Sequence, residues 1–245
     1  MTRPNSHLNF IKAIFPMSGD FEQAEGIILK VIPFRDYDQI LTIFTHEQGI
    51  IKLIYKGSRS KRRGVQGLCV PLTLVQVIYR EKRGELFSCQ EMTGMEFYHS
   101  LRHSLPCLEA ACDCLKALER SQLVCKPSPM LYQLLCFYLD RMETITDPWV
   151  LALSFRLKLL MHDGLARFPF LCATCFQPLQ EVAYVHLTDW GCREHLSQGH
   201  YWNEHEVQQV YRLALCQSYQ ELINETISEE LKAKVNHFFS DSLQK

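Results

Sequence analysis

The 245-residue sequence predicts an α+β protein in which a small five-stranded β-barrel precedes an α-helical domain. β-branched and aromatic runs separated by turn residues fill residues 25–91, and a helical spacing of apolar residues begins near residue 97. A third segment, 168–202, follows neither period and concentrates Cys, His and Gly. Apolar residues at 47% and charged residues at 22% are typical of a globular chain and exclude a disordered one.

The barrel is predicted at 21–95, after an N-terminal extension of residues 1–20. Short connections that end in Gly49 and Gly84 predict antiparallel pairing of the second strand with the third and of the fourth with the fifth. A closed barrel is favoured over an open sheet because closure leaves no exposed edge strand. The five predicted strands are 26–32, 39–45, 50–56, 72–80 and 85–90.

The helical domain is predicted in two stretches, 96–167 and 203–245, which together hold five helices. The second helix is expected to open at Ser128, which precedes a proline suited to a first helical turn. The last helix is expected to begin at a capping box formed by Thr226 and Glu229.

The segment at 168–202 is predicted to be a zinc-binding insertion, because it carries two pairs of candidate ligands, each pair separated by two residues. A set of three thiolates and one imidazole fills all four positions of a tetrahedral ion, so the site is expected to be structural and to hold one zinc ion. His200 and His186 are alternatives to His195 as the fourth ligand. The predicted ligands are Cys172, Cys175, Cys192 and His195.

Charge is distributed unevenly along the chain, although the formal net charge is only −1. Residues 21–90 carry 11 cations and 7 anions, whereas residues 171–245 carry 5 cations and 10 anions. Six cations lie within residues 52–63, and such a cluster needs a counter-charge, which a nucleic-acid backbone supplies. The candidate nucleic-acid-binding residues are Arg35, Lys52, Lys56, Arg59, Lys61, Arg62, Arg63, Lys82 and Arg83.

Aromatic side chains are interleaved with these cations and are candidates for stacking on bases. Taken one at a time, each is expected to belong to the barrel core, which is the usual position of such residues. The five aromatics are Phe34, Tyr37, Tyr55, Tyr79 and Phe87.

Several classes of protein are disfavoured by what the sequence lacks. It contains no GxxxxGK[ST], GxGxxG, HExxH or GxSxG motif, so no catalytic activity is expected. Eleven cysteines, an odd number in apolar surroundings, indicate a reducing compartment. With neither a secretory signal nor a membrane-spanning run predicted, we expect a cytoplasmic protein without a membrane partner.

The sequence resembles the RecO family of bacterial recombination mediators over about residues 22–240. The resemblance is strongest in the predicted barrel, in Glu25-Gly-Ile-Ile-Leu-Lys30, in the run from Phe34 to Thr45, in Tyr55-Lys-Gly-Ser-Arg59 and in Arg83-Gly-Glu-Leu86. In the helical domain, the resemblance rests on the order and spacing of the predicted elements. The sequence departs from the family in having His195 where a fourth cysteine is common, and its leader has no counterpart, so Met17 is expected to be the start.

This resemblance implies a non-catalytic DNA repair factor whose barrel is an OB-fold. Such a protein binds single- and double-stranded DNA, anneals complementary strands, and with RecR helps RecA displace single-strand-binding protein. The C-terminal tail of that protein docks on the helical domain, and RecA and RecF are indirect partners. The location implied is the bacterial cytoplasm, at the nucleoid.

Two other functions are compatible with the residues alone. One is an RNA-binding barrel with a zinc ribbon that acts in translation or RNA handling. The other is a metallo-hydrolase, which the absence of a carboxylate cluster and of an open ligand position disfavours.

Overall fold

The structure is a computed structural model that describes residues 21–60, 67–80, 86–168, 170–179, 183–186, 189–196 and 199–244. The chain divides between Glu96 and Phe97 into two compact units. We refer to them as the barrel unit and the helical unit.

The barrel unit is a closed five-stranded barrel with strand order β1-β2-β3-β5-β4, in which β4 pairs back onto β1. The predicted antiparallel pairings of β2 with β3 and of β4 with β5 are confirmed, while β3 and β5 run parallel. The strands are β1 Phe21–Phe34, β2 Asp38–Thr45, β3 Gly49–Tyr55, β4 Leu74–Arg80 and β5 Leu86–Glu96.

The first strand is twice as long as predicted and explains how the barrel closes. Its first half, Phe21–Ile27, pairs with β4, and Gly26–Phe34 pairs with β2, with a bulge between Ile28 and Lys30. Gly26 belongs to both ladders, and a Cβ there would lie 2.6 Å from Ile43 and 2.7 Å from the carbonyl oxygen of Phe44. Only glycine permits this close approach, which brings β1 across both neighbours.

The interior of the barrel is filled by side chains from alternate positions of all five strands. Ile51, Leu53 and Tyr55 of β3 point inward, so Lys52 between them points outward. This alternation separates an apolar interior from an outer face that carries charge.

The helical unit contains six α-helices, one 3-10 turn and a small sheet among the described residues. The predicted start of the second predicted helix at Ser128 is confirmed, because Ser128 is the N-cap of α3. The elements are α1 His99–His103, α2 Leu105–Ser121, α3 Pro129–Leu139, α4 Pro148–His162, β6 Ala183–His186, β7 Asp189–Gly191, β8 His200–Trp202, α5 Glu204–Leu215, a 3-10 turn Tyr219–Glu221 and α6 Glu229–Ser242.

The expected capping box at Thr226 and Glu229 is wrong. The N-cap of α6 is Ser228, whose side chain accepts a hydrogen bond from the backbone N–H of Leu231. A capping box is present instead at α5, where Asn203 and Glu206 satisfy each other's backbone N–H groups. Neither the short helix α1 nor the sheet β7-β6-β8 was predicted, because elements of three to five residues carry no recognisable period.

The centre of the helical unit is α4, which contacts α2, α3, α5 and α6 and is buried along nearly its whole length. Arg156, in the middle of α4, is only 7% exposed. Its guanidinium pairs with Asp113 of α2 and donates to Asn236 of α6. Burial raises the pKa of the Asp113 carboxyl, although the charge of Arg156 opposes the shift. Arg156 therefore links α4 to both α2 and α6.

Within the described ranges, no helix combines the length and the apolar composition that crossing a membrane requires.

Candidate nucleic-acid interface and metal centre

Two turns at one end of the barrel lie side by side and carry three of the predicted cations. The β1–β2 turn contains Arg35, and the turn that follows β3 contains Lys56 and Arg59; all three side chains are exposed. The backbone N–H of Arg59 donates to the carbonyl oxygen of Tyr37 at 3.0 Å. A short stretch of surface thus gathers cations that are up to 24 positions apart in the sequence.

A second connection fixes the same pair of turns. The backbone N–H of Gly57 donates to Oδ1 of Asp38 at 2.9 Å, so the first residue of β2 holds the turn after β3. With the bond between Arg59 and Tyr37, the two turns are joined on both sides of Ser58, which is itself fully buried.

Lys52 lies away from these turns, on the outer face of β3. It is half-buried and stands opposite Thr42 of β2, which also stands opposite Lys30 of β1. Because neighbouring strands are about 4.8 Å apart, Lys30 and Lys52 flank Thr42 at roughly 10 Å from each other. Lys30 is not among the cations that the sequence predicts to bind nucleic acid. Only the register of β1, β2 and β3 shows that it lies near Lys52.

Five of the predicted cations lie outside the described residues, so their role in nucleic-acid binding stays a prediction. They are Lys61, Arg62, Arg63, Lys82 and Arg83.

The five aromatic residues predicted as stacking candidates differ in exposure. Tyr55 and Tyr79 are 3% and 1% exposed and belong to the interior, and Phe87 packs edge-on against Tyr79. Phe34 is half-buried, with the guanidinium of Arg35 5.1 Å from the centre of its ring. Tyr37 differs from all of these because 63% of it is exposed.

The candidate metal centre is a cluster of four side chains in the helical unit whose ligand atoms all lie within 4.8 Å of one another: Cys172, Cys175, Cys192 and His195. The structure brings together the predicted set with His195 as its fourth member. The ring of His200 lies instead against that of His237 of α6, at 5.1 Å between centroids, and His186 is outside the cluster.

Each pair of ligands is presented by a tight turn. Cys172 accepts a backbone hydrogen bond from Phe176, and Cys192 accepts from both His195 and Leu196. The two turns are joined by a bond of 2.8 Å from the N–H of Ala173 to the carbonyl of Trp190 in β7.

A glycine next to the second turn allows it to fold back on the sheet. Gly191 ends β7, immediately before Cys192, and any Cβ at this position would collide with the side chain of Leu196. The hairpin β6–β7 thereby delivers Cys192 to the side of Cys172.

Two of the three ligand–ligand distances match those around a tetrahedral zinc ion. Bond lengths of about 2.3 Å to sulfur and about 2.0–2.1 Å to nitrogen place two sulfurs about 3.8 Å apart and a sulfur and a nitrogen about 3.6 Å apart. The Sγ atoms of Cys172 and Cys192 are 3.8 Å apart, and Cys172 Sγ lies 3.6 Å from Nδ1 of His195. Cys192 Sγ and His195 Nδ1 are closer, at 3.0 Å.

The surroundings of the cluster shift the pKa values of two of its thiols in opposite directions. Burial disfavours ionisation of Cys172, but hydrogen bonds from the backbone N–H groups of Cys175, Cys192 and Thr174 outweigh it and lower the pKa of Cys172 to about 6. A hydrogen bond from Gln177 favours the Cys175 thiolate, yet burial and the neighbouring sulfurs raise its pKa. A cation bound between these sulfurs would favour the thiolate form of each of them.

An aromatic cluster anchors the metal centre to the helices. Trp190 of β7 stacks on Phe170, and both rings meet Phe238 of α6 edge-on. The hydroxyl of Tyr211 on α5 donates to the carbonyl of Leu179 at 2.6 Å and accepts from the N–H of Phe170 at 3.0 Å. The segment is thus packed against α5 and α6.

Comparison with known proteins follows the division into two units. A family model described as recombination protein O, N terminal, matches residues 17–98, and one described as recombination protein O, C terminal, matches residues 115–245. A solved structure of Entamoeba histolytica asparaginyl-tRNA synthetase overlaps 70% of this chain and 37% of its own, with a TM-score of 0.29 and 9% identity, which is too weak to indicate a shared fold.

Similar curated proteins carry the name DNA repair protein RecO. That of Anaeromyxobacter dehalogenans is 26% identical over 166 residues, which are 66% of this chain and 64% of the relative. That of Exiguobacterium sibiricum is 26% identical over 63% of this chain and 61% of the relative, and that of Chlamydia pneumoniae 24% identical over 69% and 67%. The chain thus spans somewhat less than two thirds of the first of these relatives. Because the two family models together match most of its residues, the chain belongs to the RecO family.

Proposed function

We propose that this protein is a DNA repair and recombination mediator that binds single- and double-stranded DNA through its barrel unit. The observation that carries the proposal is the pair of joined turns that presents Arg35, Lys56 and Arg59 together, in a chain that belongs to the RecO family. A closed five-stranded barrel of this order binds oligonucleotides on its outer face and with the loop between its first two strands. Lys30 and Lys52 extend the same surface along β1 and β3.

The mode of binding that these residues favour is contact with phosphates. Exposed lysine and arginine side chains on turns neutralise the backbone and carry no information about base sequence. The remaining predicted cations, Lys61, Arg62, Arg63, Lys82 and Arg83, add to the interface in this proposal. Two DNA strands held by such contacts are concentrated on one protein surface, and this promotes annealing of complementary sequences.

The metal centre is proposed to hold one structural zinc ion. Four ligands leave no open position for water or substrate, so the ion supports the fold and takes no part in a reaction. We propose that the protein is not an enzyme, and that it acts in the bacterial cytoplasm at the nucleoid. Its proposed partners are RecR and the C-terminal tail of single-strand-binding protein, with RecA and RecF as indirect partners.

The test is annealing of complementary strands by metal-quantified protein, with and without single-strand-binding protein. Accelerated annealing that persists in the presence of single-strand-binding protein, together with one equivalent of zinc, supports the proposal. For four to six neutralised phosphates, the plot of log K against log salt on single strands should have a slope of about −3 to −4. A flat salt response, or annealing no faster than without protein, contradicts it.

The RNA-binding alternative is tested in the same assay with DNA and RNA oligomers of one sequence. Preference for RNA, or co-purification with ribosomal material instead of RecR, replaces the DNA role with one in RNA handling. Catalysis that a chelator abolishes would identify a metallo-hydrolase, whereas a structural ion predicts a lower melting temperature and no lost chemistry.

A further inference from the structure

Tyr37 is the most exposed of the described aromatic residues in the barrel unit. Its exposed fraction is 63%, compared with 40% for Phe21 and 5% or less for Tyr55 and Tyr79. An aromatic ring left in water forgoes the free energy of burial that the interior rings obtain. The barrel therefore presents one large ring at the tip of the turn that also carries Arg35.

This ring is attached to a fixed backbone. The carbonyl oxygen of Tyr37 accepts the N–H of Arg59, and the next residue, Asp38, accepts the N–H of Gly57. Arg35, two positions earlier, has a φ of 53°, in the left-handed region that an arginine rarely adopts. A turn defined this closely loses little conformational entropy when its side chain meets a ligand.

The outer face of the barrel leads from the lysine pair to this turn. Lys30 and Lys52 flank Thr42, and the next outward positions along the same strands are Ile32 and Ile54 on either side of Ile40. Ile32 is 44% exposed. Ile54 is only 5% exposed, so on this face the exposed path runs along β1, from Lys30 to Ile32 and then to the turn with Tyr37.

We propose that Tyr37 stacks on an unpaired base of bound single-stranded DNA and sets the preference of the barrel for single over double strands. The inference rests on the proposed DNA-binding function. Cations attract both kinds of DNA through phosphates, but only an unpaired base offers its flat face to a ring. Stacking on an aromatic side chain does not depend on which base is present, so the preference is for strandedness and not for sequence.

The experiment compares three ligands, each of the same length: an oligothymidine, a strand of abasic sites and a duplex. Tyr37→Ala should weaken binding of the oligothymidine about five- to a hundredfold, the range expected for loss of one stacked base. Its affinity for the abasic strand and for the duplex should stay within about twofold of the wild type, because the phosphate contacts remain. Tyr37→Phe keeps the ring and should bind all three ligands as the wild type does.

Phe21→Ala is the matched control, since it removes another exposed ring, at the start of β1, and should change none of the affinities. Equal losses by Tyr37→Ala on all three ligands, or no loss on any, overturn the stacking role. Wild-type protein that binds none of the three overturns the proposed function itself. A melting curve of each variant shows that the barrel remains folded, so a loss of affinity cannot arise from unfolding.

Discussion

The two units place their charged residues in opposite ways. The barrel unit exposes Arg35, Lys56 and Arg59 on joined turns, whereas the helical unit buries Arg156 against Asp113 and holds Lys234 between Glu206 and Glu230. The barrel unit thus presents these cations at the surface of turns, whereas Arg156 and Lys234 join helices of their own unit. A cation exposed on a turn is therefore a better candidate for a phosphate contact than one that joins two helices.

The largest difference between the units should appear on removal of the metal. Chelation, or Cys192→Ser, should lower the melting temperature of the helical unit by more than about 10 °C, because structural zinc contributes about 10–16 kcal/mol in isolated fingers and each kcal/mol shifts a unit of this size by about 2–4 °C. DNA affinity of the barrel should be retained. Calorimetry and a binding isotherm on the same sample check both statements.

Cys216→Ser, which alters a buried cysteine outside the cluster, is the control for that experiment. A helical unit that melts at the same temperature with and without the ion would show that the cluster does not hold the segment together.

Acidification should also release the metal and lower the stability of the helical unit, over a defined pH range. The folded pKa of Cys172 is lowered from 9.0 to about 6, so its thiolate contributes stability that is complete above the unfolded value and is lost as pH falls through about 6. A bound cation keeps the thiolate deprotonated to lower pH than this, so we expect metal content, measured after desalting, to be constant near neutrality and to fall only below about pH 6. Metal already lost at neutral pH would contradict a site held by the Cys172 thiolate.

Loss of the buried pair should have the next largest effect. Arg156→Met leaves the Asp113 carboxyl without its cation inside the helical unit and should reduce the free energy of unfolding by about 3–5 kcal/mol, measured by urea denaturation. Adding Asp113→Ala should recover part of this loss, because no isolated buried charge remains. If the double variant is as unstable as the single one, the cost lies in packing and not in charge.

Reversal of exposed charge should weaken DNA binding without affecting stability. Lys56→Glu with Arg59→Glu should lower affinity at least about tenfold near 0.1 M salt and reduce the salt slope on single strands by about 1.4. The matched control is Lys116→Glu with Lys126→Glu, two exposed lysines of the helical unit. Equal effects of the two changes would show that the DNA surface is not confined to the barrel.

Arg35→Asn should have the smallest effect. It should weaken DNA binding slightly without lowering the stability of the barrel unit. Asparagine tolerates a φ of 53° better than arginine does, so the melting temperature should stay the same or rise slightly. The salt slope should fall by about 0.7, the contribution of one phosphate contact on a single strand. A drop in stability would mean that the guanidinium, which lies near the ring of Phe34, supports the turn.

Sequence patterns were sufficient for the barrel because five alternating runs of adequate length with Gly-terminated turns limit the topology strongly. They were also sufficient to select Cys172, Cys175, Cys192 and His195, since two-residue spacing is a local property. They named Tyr37 as one of five candidates for stacking but could not separate it from the core residues, because exposure depends on which way the turn after β1 faces. Lys30 was missed because its proximity to Lys52 follows only from the register of β1, β2 and β3.

Helix boundaries show the limit of local rules. Thr226 and Glu229 have the spacing of a capping box, yet Ser228 is the N-cap of α6. The backbone N–H of Ile227, just before this helix, donates to Asp147 at the start of α4, a contact between residues 80 positions apart that local spacing cannot predict.

The contact of Phe238 with Phe170 and Trp190 also constrains the order of events during synthesis. Phe238 is added about 40 residues after His195, a few seconds later at about 5–20 residues per second. The aromatic cluster can therefore close only after all four candidate ligands have been synthesised. A chain that stops before α6 would leave the indole of Trp190 and the phenyl ring of Phe170 without this cover.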